Sequence, residues 1–205
     1  MNQIYELHLW GGKDTDFYSG AGSHQLDIID PYIKVVTDFL ASFNPPLIVC
    51  DLGCGDFNIG KRLFMYTKKY IAVDIVEDLI TRNKNLFKAN NLEFSCLDMS
   101  EDDLPTADCV ILRQVLQHLS NKEILKISKK IAHYKYIILT EHIPTDNFIP
   151  NKDIISGQGI RIKKSSGIDL LETPFNLKPI NKKTLDNFIL KKNKGRLVTI
   201  IYQMF

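Results

Sequence analysis

The sequence predicts an α/β fold, a single doubly wound domain built on a mainly parallel sheet. Three observations predict it. First, the apolar run Leu47-Ile48-Val49-Cys50 follows Pro45-Pro46, ends at Asp51, and turns through Gly53 and Gly55 toward Ile59, Leu63 and Phe64 at helical spacing. Second, the apolar run Tyr70-Ile71-Ala72-Val73 ends at another acid, Asp74, 23 residues after Asp51. Third, short apolar runs then keep alternating with amphipathic stretches, which implies parallel strands with helices on both faces.

Residues 1–29 have weak periodicity and many special residues, among them Trp10-Gly11-Gly12 and the stretch Phe17 to His24. Asp30-Pro31 supplies an N-cap and a first-turn proline. The helix it predicts carries Tyr32, Ile33, Val36, Phe39, Leu40 and Phe43 on one stripe and stops before Pro45-Pro46. Strands follow near 47–51, 70–74, 92–97, 108–113 and 134–141, with helices near 58–67, 77–88 and 121–132. Residues 142–180 break this rhythm with four prolines and three glycines, and a loop this long in a compact domain has a function or hides short strands. A helix near 181–190 and the strand Leu197 to Tyr202 complete the pattern.

At 205 residues the chain suits one domain with a full core. No apolar run approaches a membrane-spanning length, and the N-terminus lacks a basic stretch followed by an apolar block, so the expected location is cytoplasmic, with no membrane partner. Cys50, Cys54, Cys96 and Cys109 fall in or beside strands and read as small buried hydrophobes; their spacings match no zinc site, and no metal is expected. Net charge is +2, and 21 of the 26 basic residues are lysine. From Lys178 to Arg196 seven basic residues face one acid, Asp186, which reads either as a solvated face or as a phosphate-facing patch.

The glycine turn brings backbone N–H groups and a helix start to one point, and an acid about 20 residues on, at the end of the next strand, is placed for a ribose hydroxyl pair. With Asp51-Leu52-Gly53-Cys54-Gly55, Asp74, Asp98-Met99 after the third strand and Asp108 to Ser120 at the fourth, the chain resembles the class I S-adenosylmethionine (SAM) methyltransferases over roughly residues 30 to 140. The resemblance implies a Rossmann-like sheet of seven strands with an antiparallel last strand. Phe57 stands where many of these enzymes carry a third glycine. That departure counts against a nicotinamide enzyme, whose pyrophosphate needs close backbone approach, more than against a SAM enzyme.

The resemblance assigns Gly53 and Gly55 to the methionine portion of SAM, Asp51 to its ammonium, Asp74 to the ribose hydroxyls, and Asp98 with Met99 to the adenine. Arg113 and Gln114, after the fourth strand, face the methionine end; the partner of Arg113 is either the SAM carboxylate or a structural acid such as Asp51. Glu141 and His142 end the fifth strand, on the edge where open α/β sheets place ligands, and with His118 they are the acid–base candidates. His24 is a further one. Two segments are expected to close over SAM and acceptor: residues 1–29, with Lys13, Tyr18, Ser19 and His24, and the loop 156–167 within 142–180. Arg161, Lys163 and Lys164 suit an anionic acceptor, or else alternate outward along an exposed strand with Ile160 and Ile162 inside.

The function this implies is methyl transfer to oxygen or nitrogen of a small or medium polar acceptor, such as an anionic sugar or surface-polysaccharide precursor. An alternative is an RNA or protein methyltransferase using the basic C-terminal face. A third reading, from another class, is a SAM-binding module without turnover that serves a partner. A small-molecule acceptor is expected and a nucleic-acid partner is not; the sequence does not set the oligomeric state. The organisation implied is an N-terminal lid (1–29), a SAM-binding core (30–141), a substrate loop (142–180) and a C-terminal helix and strand (181–205).

Overall fold

A computed structural model describes residues 2–12, 14, 16–190 and 195–205; Lys13 of the N-terminal segment and Lys191, Lys192 and Lys194 of the basic run lie outside these. Seven strands form one sheet in the order β3-β2-β1-β4-β5-β7-β6. They are β1 (Ile48–Leu52), β2 (Lys69–Asp74), β3 (Leu92–Cys96), β4 (Cys109–Arg113), β5 (Tyr136–Ile143), β6 (Asn181–Ile189) and β7 (Arg196–Gln203). β7 runs antiparallel to both its neighbours, while the pairs β1–β2, β2–β3 and β4–β5 are parallel. The chain divides into two compact units, Met1–Asp98 with Pro105–Asp108, and Met99–Leu104 with Cys109–Phe205.

In the first unit, β1 and β2 are buried on both faces, as their unbroken apolar runs require. Leu52 lies beside Val73, and Asp74 lies beside Cys96 of β3. Two helices precede β1, α1 (Asn2–Glu6) and α2 (Leu26–Ala41), and α3 (Glu77–Leu86) joins β2 to β3. α2 starts four residues before the Asp30-Pro31 cap that the sequence predicts, and Pro31 sits inside it. Ile28 and Ile29 extend the buried stripe of Tyr32, Ile33, Val36 and Leu40 by one turn, and that burial outweighs the bond Pro31 cannot donate. The helix predicted over 58–67 is absent: two 3-10 turns, Gly60–Arg62 and Phe64–Tyr66, stand in its place. Cys96 is exposed, unlike the buried Cys50, Cys54 and Cys109.

In the second unit, β4 leads into a 3-10 turn, Leu116–His118, and then α4 (Asn121–Ile131). Ser120 and Glu123 form a reciprocal capping box at the start of α4, with the Ser120 amide donating to Glu123 Oε2 at 2.9 Å. Residues 144–180 are ordered around buried polar side chains. Asn151 donates from Nδ2 to the Asp169 and Thr173 carbonyls at 2.8 and 2.9 Å and accepts from the Asp169 amide at 2.9 Å. Ser166 Oγ donates to the Ile149 carbonyl at 2.7 Å. Residues 161–164 form a 3-10 turn rather than the exposed lysine strand the alternation suggests.

The helix predicted over 181–190 is β6. Leu185 and Phe188 have helical spacing, but a register shift between Thr184 and Asp186 inserts Leu185 as an extra residue. The bulge turns residues three apart onto one side of a strand, so both become half-buried while Asn187 and Ile189 face solvent. The Leu190 amide donates to the Gly195 carbonyl at 2.9 Å and closes the hairpin to β7. Among the described residues, no helix is long and apolar enough to cross a membrane, and no group of three or more His, Cys, Asp or Glu side chains could hold a metal ion.

Candidate active site

In the first unit, the chain leaves β1 at Leu52 and turns through Gly53 and Gly55, with φ of 81° and 55°. Such left-handed backbone favours glycine. The amides of Gly53 and Cys54 both donate to the Val73 carbonyl, at 2.8 and 2.9 Å, which fastens the turn to the end of β2. Asp74 is buried, and its two oxygens accept separate amides: Gly55 N–H on Oδ2 at 3.1 Å and Val76 N–H on Oδ1 at 3.2 Å. Burial raises the Asp74 carboxyl above the ordinary range, against the pull of these donors. Asn83 of α3 donates to the Gly55 carbonyl at 2.8 Å. Asp51 is also buried and accepts from the Tyr70 hydroxyl at 2.8 Å. Burial and the neighbouring Asp74 push the Cys54 thiol well up, so it stays neutral in the turn.

Tyr18 and His24 are brought onto this turn. Their rings stack with centroids 4.4 Å apart, and His24 Nε2 lies 2.5 Å from Asp56 Oδ2. Asp56 is absent from the residues that sequence reasoning selects: in Gly55-Asp56-Phe57-Asn58 it reads as an ordinary turn acid. Its only sequence signal is its place directly after the second glycine. Asp98, the remaining member of the set in this unit, is half-buried.

In the second unit, Gln114, His118, Glu141 and Arg161 gather around the turn after β4. Gln114 has φ of 57°, a strained conformation for a side chain with a Cβ, and its amide donates to the Thr140 carbonyl at 2.7 Å. Glu141 is buried; its Oε1 and Oε2 accept the amides of Leu116 and Gln117, each at 3.0 Å. Arg161 Nη1 donates to the carbonyls of the same two residues, at 3.2 and 3.3 Å. Its other donors reach the carbonyls of Lys152 and Leu119 and the Asn121 Oδ1, at 3.0, 2.8 and 2.8 Å. One carboxylate and one guanidinium thus bracket two consecutive residues, Leu116 and Gln117. Burial pushes the Glu141 carboxyl up to about 8, opposed by the two amides and by Arg161, and burial pushes His118 down.

The side chains of Glu141 and His142 point apart. Adjacent strand residues point to opposite sheet faces, and His142 lies toward Gly195, where an added Cβ would stand 2.9 Å from its Nε2. Arg161 is buried and Lys163 exposed on the same 3-10 turn. Arg113 ends β4, half-buried, and Met99 is half-buried with its carbonyl accepting Lys130 Nζ at 3.3 Å.

Residues 50–134 match a family model described as a methyltransferase domain. An uncharacterised RNA methyltransferase of Chlamydia pneumoniae is 31% identical over 129 residues, 58% of this chain and 31% of that protein, so the chain spans about a third of this relative. Among solved structures, the N-methyltransferase NodS of Bradyrhizobium japonicum with S-adenosyl-L-homocysteine is 10% identical with a TM-score of 0.61, covering 90% of this chain and 93% of that one. Human N-acetylserotonin methyltransferase in complex with SAM is 17% identical with a TM-score of 0.57, over 88% of this chain and 54% of that one. At these identities the structural likeness concerns the fold. The match over residues 50–134 is thus to a methyltransferase domain, and the chain shares the fold of SAM-dependent methyltransferases.

Proposed function

We propose that this protein binds SAM at the glycine turn and methylates oxygen or nitrogen of a small or medium polar acceptor. The observation that carries the reading is the buried Asp74 carboxylate, fastened to the glycine turn through the Gly55 amide. Each carboxylate oxygen accepts more than one bond, so Asp74 keeps acceptor capacity for two adjacent ribose hydroxyls. Gly53, Gly55, Asp51, Asp98, Met99, Arg113 and Gln114 are the remaining residues assigned to the cofactor. The donor set fits SAM by its charge. Asp51, Asp56 and Asp74 surround the turn, and three acids repel a pyrophosphate but suit a ligand carrying an ammonium and a sulfonium.

When bound, SAM supplies a methyl group on a leaving group already activated by its positive charge. The protein's part is alignment, which can contribute on the order of 7–11 kcal/mol. In this reading His118, on the turn after β4, is the acid–base candidate for the acceptor. Glu141 and Arg161 hold that turn by its backbone. Arg161 already has donors on four carbonyls, which argues against its meeting an anionic acceptor; Lys163 stays open to that role.

Thermal unfolding with S-adenosylhomocysteine tests the proposal. A ligand at about 100 times its Kd adds about 2.7 kcal/mol, roughly 5–10 °C for a chain of this size. We expect such a shift with S-adenosylhomocysteine, none with NAD, and a reduced one in Asp74→Asn. No shift in the wild-type chain overturns the reading. A second reading, methylation of RNA, has the name of the Chlamydia relative and the exposed Lys178, Lys182 and Lys183 in its favour.

A further inference from the structure

Asp56 ties the N-terminal segment to the glycine turn by hydrogen bonds. Its carboxylate is buried; Oδ2 accepts the Ser19 amide at 3.1 Å and lies 2.5 Å from His24 Nε2, and Oδ1 accepts the Asn58 amide at 3.1 Å. In return, the Asp56 amide donates to Ser19 Oγ at 2.8 Å, and Asn58 Nδ2 donates to the Ser23 carbonyl at 2.6 Å. Ordering a stretch that contains Gly20 and Gly22 is entropically costly, and these bonds, several of them charge-assisted, oppose that cost.

The segment meets two of the groups that hold Asp74. A Cβ at Gly55 would overlap Ser19 Oγ and stand 3.0 Å from Ser19 Cβ, so Ser19 covers the glycine whose amide reaches Asp74 Oδ2. On the other side, Tyr5 packs with Val76, whose amide reaches Asp74 Oδ1, and with Leu79, while Trp10 and Phe17 cover that cluster. The ring centroids of Trp10 and Phe17 lie 5.5 and 5.4 Å from that of Tyr5.

We propose that Asp56 is a positioning residue for the cofactor: it fastens Ser19–His24 across the glycine turn, so that the N-terminal segment forms one wall of the SAM site. This rests on the cofactor reading above. Trp10 is the chain's single tryptophan, so its emission reports on the segment alone.

The test is calorimetric titration with S-adenosylhomocysteine, with Trp10 emission followed in parallel, in the wild type, Asp56→Asn and His24→Gln. In the wild type, saturation should move the Trp10 emission. Loss of the carboxylate should weaken binding roughly tenfold or more, as expected when charge-assisted bonds are lost, and His24→Gln should weaken it less. Should Asp56→Asn fail to fold, Ser19→Ala and the half-exposed His24→Gln carry the same comparison. Folded variants with a lower Tm but affinity within about twofold of wild type would make Asp56 a structural strap only and overturn the proposal. Failure of the wild type itself to bind overturns the cofactor reading and this inference together.

Discussion

Phe57 holds a left-handed backbone, φ 64°, at the position where the sequence resemblance leads one to look for a third glycine. That conformation costs an L-residue roughly 1–2 kcal/mol. The ring is fully buried and meets Phe64, Tyr70, Phe87 and Phe94, with the Phe94 centroid 4.9 Å away. Gly60 makes room for it: a Cβ there would stand 2.6 Å from Phe57 Cδ2. Truncation to alanine should cost about 3–5 kcal/mol. Because alanine keeps the left-handed strain and glycine does not, Phe57→Gly should be the less destabilising of the two by about 1 kcal/mol, the reverse of the usual order. Urea unfolding of the two variants decides it. The residue's identity and the missing glycine are legible in the sequence. The packing that makes the exchange work joins residues up to 37 positions apart and is not.

The turn after β4 is held from outside as well as by its own 3-10 hydrogen bonds. Glu141 from β5 accepts the amides of Leu116 and Gln117, and Arg161 from the long loop donates to the carbonyls of the same two residues. Glu141 titrates near 8 in the folded chain, above its ordinary value of 4.5, so the folded state holds a proton that the unfolded state has lost between those values. This contribution is complete below about 4.5 and disappears as pH rises through about 8. Tm should therefore fall across that window in the wild type. Glu141→Gln should lack this component of the slope, whatever its absolute stability, and calorimetric scans from acid to mildly alkaline pH check it. At the same scale, β6 shows why spacing alone misleads: Leu185 and Phe188 share a side in a helix, and a bulged strand gives them the same relation.

For the molecule as a whole, the acceptor class is the open choice between the two functional readings. Lys178, Lys182 and Lys183 are exposed, the latter two on β6 at the sheet edge, with the half-buried Asp186 further along the strand. Binding driven by phosphates weakens steeply with salt. On the small-acceptor reading, a fluorescently labelled RNA oligonucleotide should show no anisotropy change at physiological ionic strength. Binding that persists there, and that Lys182→Glu with Lys183→Glu abolishes, would move the assignment to RNA. By itself the sequence determined the alternation of strands and helices, the glycine turn and the acid ending β2, because apolar period, glycine and strand-end acids act over a few residues. Only the tertiary structure decided that Asp56 collects Ser19 and His24, that Arg161 turns inward onto backbone carbonyls, and that 181–189 is a strand. Each of these depends on a partner some 30 to 45 residues away or on a neighbouring strand, and local sequence carries no record of such a partner.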